Sequence, residues 1–243
     1  VPNRCLYNNN IKNYLLEDNK SILGKLNSNY NGLIQSTQIE AWEEEISITK
    51  YVLKALNNDG EIIFEYDIPR LGKRIDVTLL INGIIFCLEF KVGESKILEA
   101  DVDQVLDYAL DLKYFHKFSS DKIIVPILIA TNYKGSSSEI KLSIYNDKVI
   151  NPLISGKNGL FNVINKVINK YPKESPVNKN WIISPYAPTP TIIEAAKALY
   201  ENHSVENITR HEADNVSTDR TIAYILKVIK KSKENKEKSI CFV

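Results

Sequence analysis

Two apolar runs meet at an asparagine–glycine pair in RIDVTLLINGIIFCLEFK, residues 74–91. Asn-Gly is strongly favoured in two-residue hairpin turns, so this stretch predicts two antiparallel strands joined at Asn82-Gly83. With those residues as the loop, Ile81 pairs with Ile84, Leu80 with Ile85, Thr78 with Cys87, Asp76 with Glu89, and Arg74 with Lys91. The strand period of two puts Ile75, Val77, Leu79 and Ile81 on one face with Ile84, Phe86, Leu88 and Phe90. That face is wholly apolar and is expected to be core. The other face sets Asp76 against Glu89, about 5 Å apart at their Cβ atoms, where like charges destabilise a sheet.

The pattern extends to both sides of the hairpin. Trp42, Ile46, Thr49, Leu53 and Leu56 form one stripe at helical spacing and predict a helix over 36–56, with Gly60 as its stop signal. EIIFEYDI, residues 61–68, reads as a strand closing before Pro69. A second helix is expected over 98–115, with Val102, Val105, Leu106, Ala109 and Leu112 buried. IIVPILIAT, residues 123–131, is apolar on both faces, as in a covered strand, and Pro126 argues for an edge or a bulge. A short strand at 140–145 and an amphipathic helix at 160–170 follow.

Residues 1–35 are polar and Asn-rich, with a weak helical pattern around 11–26, and read as a surface lead-in. The proline-rich stretch 173–190 reads as a boundary. Beyond it lie helical patterns at 191–202 and 218–233, then KSICFV, an apolar run like the start of a strand. The fold class expected is α/β. A domain over 36–172 has the order α-β-β-β-α-β, with a central mixed sheet flanked by helices, and 191–243 form a helical C-terminal extension.

Composition changes this picture little. The chain has 243 residues, 44% hydrophobic and 25% charged, with net charge +1. That is ordinary globular material, with no global charge to favour nucleic acid and none against a locally basic groove. No apolar run approaches about 18 residues, so no membrane span is expected. The opening VPNRCLYNNN lacks the charged-then-apolar pattern of a secretory leader, so none is expected. Three scattered cysteines make neither a disulfide framework nor a zinc motif, which fits a reducing cytoplasm.

The facing acids carry the chemistry. Two close carboxylates are uncomfortable when both are ionised unless a cation lies between them. Such oxygen ligands suit Mg²⁺, which can polarise a phosphodiester. Lys91, two residues beyond Glu89, faces the same way and can orient or help deprotonate a water and stabilise developing charge. The bland alternative is a salt-bridge ladder on a solvated strand face. A ladder would set acid against base, whereas here acid faces acid. On the 36–56 helix, Glu45 lies about 40° from the centre of the buried stripe, and a carboxylate seldom edges a core without a partner. Gln104 and Tyr108 share one helix face four residues apart. Gln104 can bond a metal-bound water or phosphate, and Tyr108 can stack on or bond nucleic acid.

Asp76, Glu89-x-Lys91 and Gln104-x-x-x-Tyr108, on this element order, resemble the PD-(D/E)XK nuclease superfamily and in particular its RecB-like branch. The resemblance covers about residues 36–131. It implies a restriction-endonuclease-like core in which Asp76 and Glu89 ligate Mg²⁺ or Mn²⁺, with the Phe90 carbonyl as a further ligand. Lys91 would be the catalytic lysine and Glu45 the helix acid. Ile75 stands where that family often has proline. Residues 181–200 and the closing KSICFV resemble the region joining such a nuclease to a P-loop ATPase in bacterial nuclease–helicase fusions, some related to Schlafen-type ATPases. That implies a following ATPase or helicase domain, although no G-x-x-x-x-G-K-S/T is present. The expected function is DNA cleavage in phage defence or DNA processing. RNA as the substrate remains open, as does a non-catalytic module that binds nucleic acid or a partner.

Overall fold

The computed structural model describes residues 4–69, 71–135, 148–171 and 175–186, with isolated positions between 223 and 234. The hairpin is present. β3 (Lys73–Ile81) and β4 (Ile84–Lys91) pair antiparallel, with Ile81 opposite Ile84, Leu80 opposite Ile85 and Thr78 opposite Cys87. Asn82 and Gly83 both take positive φ, 53° and 80°, as the tight turn requires.

Five further elements follow the sequence pattern closely: α3 (Ser36–Leu56), β2 (Gly60–Ile68), α4 (Glu99–Phe115), β5 (Ile123–Ala130) and α5 (Leu160–Lys170). A short strand that the pattern did not announce, β6 (Leu153–Ser155), precedes α5. Asn57, in the left-handed region at φ 51°, ends α3 and returns its N–H to the Leu53 carbonyl. Gly60 is therefore not the helix stop. It opens β2, where a Cβ would lie 2.2 Å from the Leu80 carbonyl oxygen.

The expected surface lead-in is instead part of the core. Its strand β1 (Tyr7–Asn10) pairs with β2, and its helices α1 (Ile11–Leu16) and α2 (Asn19–Asn29) bury Ile11, Tyr14, Ile22 and Leu26. Asn10 caps α1 through the Asn13 N–H, and Asp18 caps α2 through the N–H groups of Lys20 and Ser21. These side chains satisfy donors that every helix start leaves open. The signal was weak because the buried positions are diluted by Asn and Lys on short helices.

The sheet has six strands in the order β1-β2-β3-β4-β5-β6, antiparallel up to β4 and parallel from β4 through β6. It is thus an α/β fold with a mixed sheet flanked by helices. Trp42, Ile46 and Leu53 of α3 and Val163 and Val167 of α5 pack with one face. Tyr108, Ala109 and Leu112 of α4 pack with the other, together with Trp181. β5 lies inside the sheet, not at its edge. Pro126 has the parity of Ile124, whose N–H bonds outward to the Lys148 carbonyl. Its missing donor thus faces the gap before β6 pairing resumes at Ile127.

The described part of the proline-rich segment also belongs to this unit. Trp181 is fully buried, and the buried His116 ring sits 2.9 Å from its carbonyl oxygen. Burial pushes the His116 pKa down to about 3, so the ring is a neutral structural pin. A second compact unit comprises Tyr145–Asp147 and Pro188–Val243. Its described positions between 223 and 234 are helical, as expected for 218–233. The strand at 140–145, the helix at 191–202 and KSICFV lie outside the described residues. Among the described residues, no helix is long and apolar enough to cross a membrane.

Candidate active site

The two-residue period breaks at one place on two neighbouring strands. Ile62 and Phe64 pack on the α3 side, but Tyr66 and Ile68 pack on the α4 side. On β3, Val77 and Leu79 pack with α3, whereas Ile75 packs with α4. The apolar face expected to include Ile75 therefore ends at Val77. Both strands change face at Glu65 and Asp76, which stand opposite each other between the pairs Phe64–Val77 and Tyr66–Ile75. Glu65 takes φ 55°, a left-handed conformation that costs a non-glycine residue about 1–3 kcal/mol.

The ladder between β3 and β4 stops at the same point. Its last pair is Val77–Leu88, so neither Asp76–Glu89 nor Arg74–Lys91 is a ladder pair. Arg74 pairs with Asp67 of β2 instead. Asp76 Oδ2 accepts the Phe90 N–H at 2.7 Å. A charge-assisted bond to carboxylate here replaces a backbone bond, and the strands part where flush pairing would press two acids together. A strand residue's N–H and C=O leave on the same edge, so the Phe90 carbonyl also faces the side of Asp76.

Helix α3 brings a third acid. Glu45 is 3% exposed and Glu89 4%, while Asp76 keeps a partly exposed position. Glu45 Oε2 and Glu89 Oε2 are buried without a hydrogen-bond partner, a costly state for a carboxylate. Burial, then the charges of Glu65 and Glu89, push the Glu45 pKa well up. Burial, then Glu89 and Glu45, do the same to Asp76 against the opposing Phe90 bond. Burial raises Glu89 also, although Lys91 pulls it down.

Lys91 Nζ lies 2.9 Å from Glu89 Oε1 and 3.3 Å from Asp101 Oδ1, and donates to Gln104 Oε1 at 3.3 Å. Burial works against its charge, but Glu89 and Asp101 outweigh burial and raise its pKa. That shift favours the ammonium form, and with it the role of donor to developing charge. Gln104 Nε2 in turn donates to the Tyr108 hydroxyl at 2.6 Å. Tyr108 is 1% exposed, so it braces Gln104 and offers no stacking surface to nucleic acid.

Two site residues escaped the sequence reading. Asp101 lies three residues before Gln104 on α4, so helical spacing already put it on the same face. Glu65 was visible as an acid set between two aromatic residues, Phe64 and Tyr66, in EIIFEYDI. Its carboxylate accepts the Trp42 indole N–H at 2.9 Å and lies 3.8 Å from Arg74.

The donor set is carboxylate oxygen with a backbone carbonyl, which suits Mg²⁺ or Mn²⁺ rather than a thiophilic metal. Among the described residues, no three His, Cys, Asp or Glu groups stand in a geometry ready to hold a metal ion. The arrangement explains this, because Asp76 turns to the Phe90 N–H and Glu89 to Lys91. The unpartnered oxygens of Glu45 and Glu89 are the observation that fits a cation.

A stability test follows from the raised acids. A carboxyl whose folded pKa is raised stabilises the fold below its ordinary value, 4.5 for Glu. That stability is lost as pH rises through the folded pKa. In EDTA the melting temperature is therefore expected to fall above about pH 4.5. Glu45→Gln flattens that fall and melts higher than wild type at pH 8. Adding Mn²⁺ at pH 8 raises the wild-type melting temperature and has much less effect on the variant. Equal slopes for the two proteins in EDTA would remove Glu45 from the acid cluster.

The chain matches no protein-family model, and no curated protein or solved structure proved similar to it.

Proposed function

We propose that this protein hydrolyses phosphodiester bonds in DNA with the help of Mg²⁺ or Mn²⁺. The observation that carries the reading is the interrupted ladder. At one break between β3 and β4, Asp76 and Glu89 gather with Glu45 of α3 and with Lys91, itself held by α4. Asp76, Glu89 and Glu45 would hold the cation, with the Phe90 carbonyl as a further donor. The ion, when bound, supplies Lewis-acid polarisation of the phosphate and a nucleophile at neutral pH. The Lys91 ammonium donates to the oxygen on which charge develops. Asp101 and Gln104 fix its aim, and Tyr108 fixes Gln104.

The resemblance to the PD-(D/E)XK superfamily and its RecB-like branch supports the same reading, and the mixed sheet with helices on both faces is compatible with that fold. On the same resemblance, the chain serves as the nuclease part of a bacterial nuclease–helicase that acts in the cytoplasm in phage defence or DNA processing. A P-loop ATPase or helicase would then be its partner domain.

The test is a cleavage assay with Mn²⁺ on circular, linear and single-stranded DNA and on RNA. Metal-dependent loss of the circular DNA is the expected result and marks an endonuclease. Cutting of RNA alone would correct the substrate. No cutting of any substrate, with the melting temperature still raised by Mn²⁺, would replace the enzyme with a non-catalytic binding module.

A further inference from the structure

Beside the acid site lies a cleft of about 370 Å³, within the size range of small-molecule pockets. Its lining includes Arg4, Asn29, Asn31, Glu65, Asp67 and Arg74. Two of these residues also belong to the acid site's surroundings. Glu65 acts on Glu45 and Asp76. Arg74 stands two residues from Asp76 on β3, about 7 Å along the strand. The cleft is therefore within reach of a nucleotide next to a phosphate held at Asp76.

The lining selects a chemical class. Two guanidinium groups meet two carboxylates and two amides. A bare anion would face Glu65 and Asp67, and a bare cation would face Arg4 and Arg74. Each guanidinium is a planar fork of donors suited to phosphate. Arg74 is steadied over the Tyr30 ring at 5.4 Å, and Arg4 lies 5.3 Å from the Tyr186 ring centre and donates to the Ser184 carbonyl. Asn31 can donate and accept, Asn29 gives an N–H to the Leu6 carbonyl at 2.7 Å and keeps its amide oxygen as an acceptor, and the Asp67 oxygens accept. The matching ligand carries an anion at one end and a hydrogen-bonding edge with a donor at the other.

We propose that the cleft binds a nucleoside monophosphate unit, the nucleotide flanking the bond that is cut. Arg74 and Arg4 take its phosphate. Asp67, with Asn29 and Asn31, takes its base, and prefers a base that carries an exocyclic amine, as cytosine, adenine and guanine do and thymine does not. The inference rests on the phosphodiester reading for its place in the reaction. The binding itself is measurable without cleavage.

The experiment is calorimetric titration of the whole chain in EDTA with dCMP, dAMP, dTMP and inorganic phosphate. The expected result is that dCMP and dAMP bind at least tenfold more tightly than phosphate or dTMP. Arg74→Gln weakens both at least tenfold, and Asp67→Asn, which keeps the shape of the side chain, erases the preference over dTMP. Nucleotides that bind no better than phosphate, or bind unchanged in both variants, would overturn the inference. Cleavage with Mn²⁺ is scored separately. Cutting without nucleotide binding sinks the cleft and leaves the nuclease. Nucleotide binding without cutting keeps the cleft as a nucleotide site and sinks the nuclease.

Discussion

Replacing Lys91 by alanine is expected to lower metal-dependent DNA cleavage by about 10²–10³-fold, the loss seen when one preorganised donor to a developing charge is removed. The loss should appear in kcat, because the donor acts on charge that exists only in the transition state. Lys91 is held by Glu89, Asp101 and Gln104 at 2.9, 3.3 and 3.3 Å. Its position is therefore set before substrate arrives. Lys91→Arg keeps the charge but replaces a compact ammonium with a planar fork, and should rescue little. Mn²⁺ should still raise the melting temperature of Lys91→Ala, since the carboxylates remain. A variant that retained wild-type kcat would leave the Lys91 network a structural salt bridge and remove Lys91 from the chemistry.

Trp42→Ala is the largest stability loss expected, about 3–5 kcal/mol from the cavity and the lost contacts of a fully buried aromatic. For a chain of this size that corresponds to about 6–20 °C in melting temperature. Trp42 is 0% exposed and packs edge-on against Tyr30 at 5.8 Å. It also donates to Glu65, whose backbone is strained. Trp42→Phe separates the two contributions. It keeps an aromatic ring and leaves the Glu65 oxygen without its donor, at a cost of about 1–3 kcal/mol. Thermal unfolding in EDTA measures both variants. A Phe variant as stable as wild type would show that Glu65 finds water or another donor, and that Trp42 holds the site by packing alone.

Much of the fold was legible along the chain because the signals were local. Asn82-Gly83 sets the register of its own hairpin, and the stripes of α3 and α4 recur every turn. Glu45 was legible for the same reason, since its angle to Trp42 on one helix is settled by the helix itself. The lead-in misled, because β1 takes its place from β2 more than fifty residues later, a partner that no local pattern announces. Pro126 misled likewise. Its missing donor is harmless inside the sheet because the pairing to β6 is interrupted beside it.

Sequence periodicity by itself determined the order of elements from α3 to β5, the hairpin register from Ile81 to Val77, and the gathering of Asp76, Glu89 and Lys91 near one strand end. Only the tertiary structure decided how the facing acids are reconciled. The strands part below Val77–Leu88, Asp76 takes the Phe90 N–H, and β2 and β3 change faces at Glu65 and Asp76. It also decided that Asp101 and Gln104 hold Lys91 and that Tyr108 is buried behind them. The reason is physical. Period and turn chemistry act within one element, whereas the repulsion of buried carboxylates is resolved among three strands and two helices that meet only on folding.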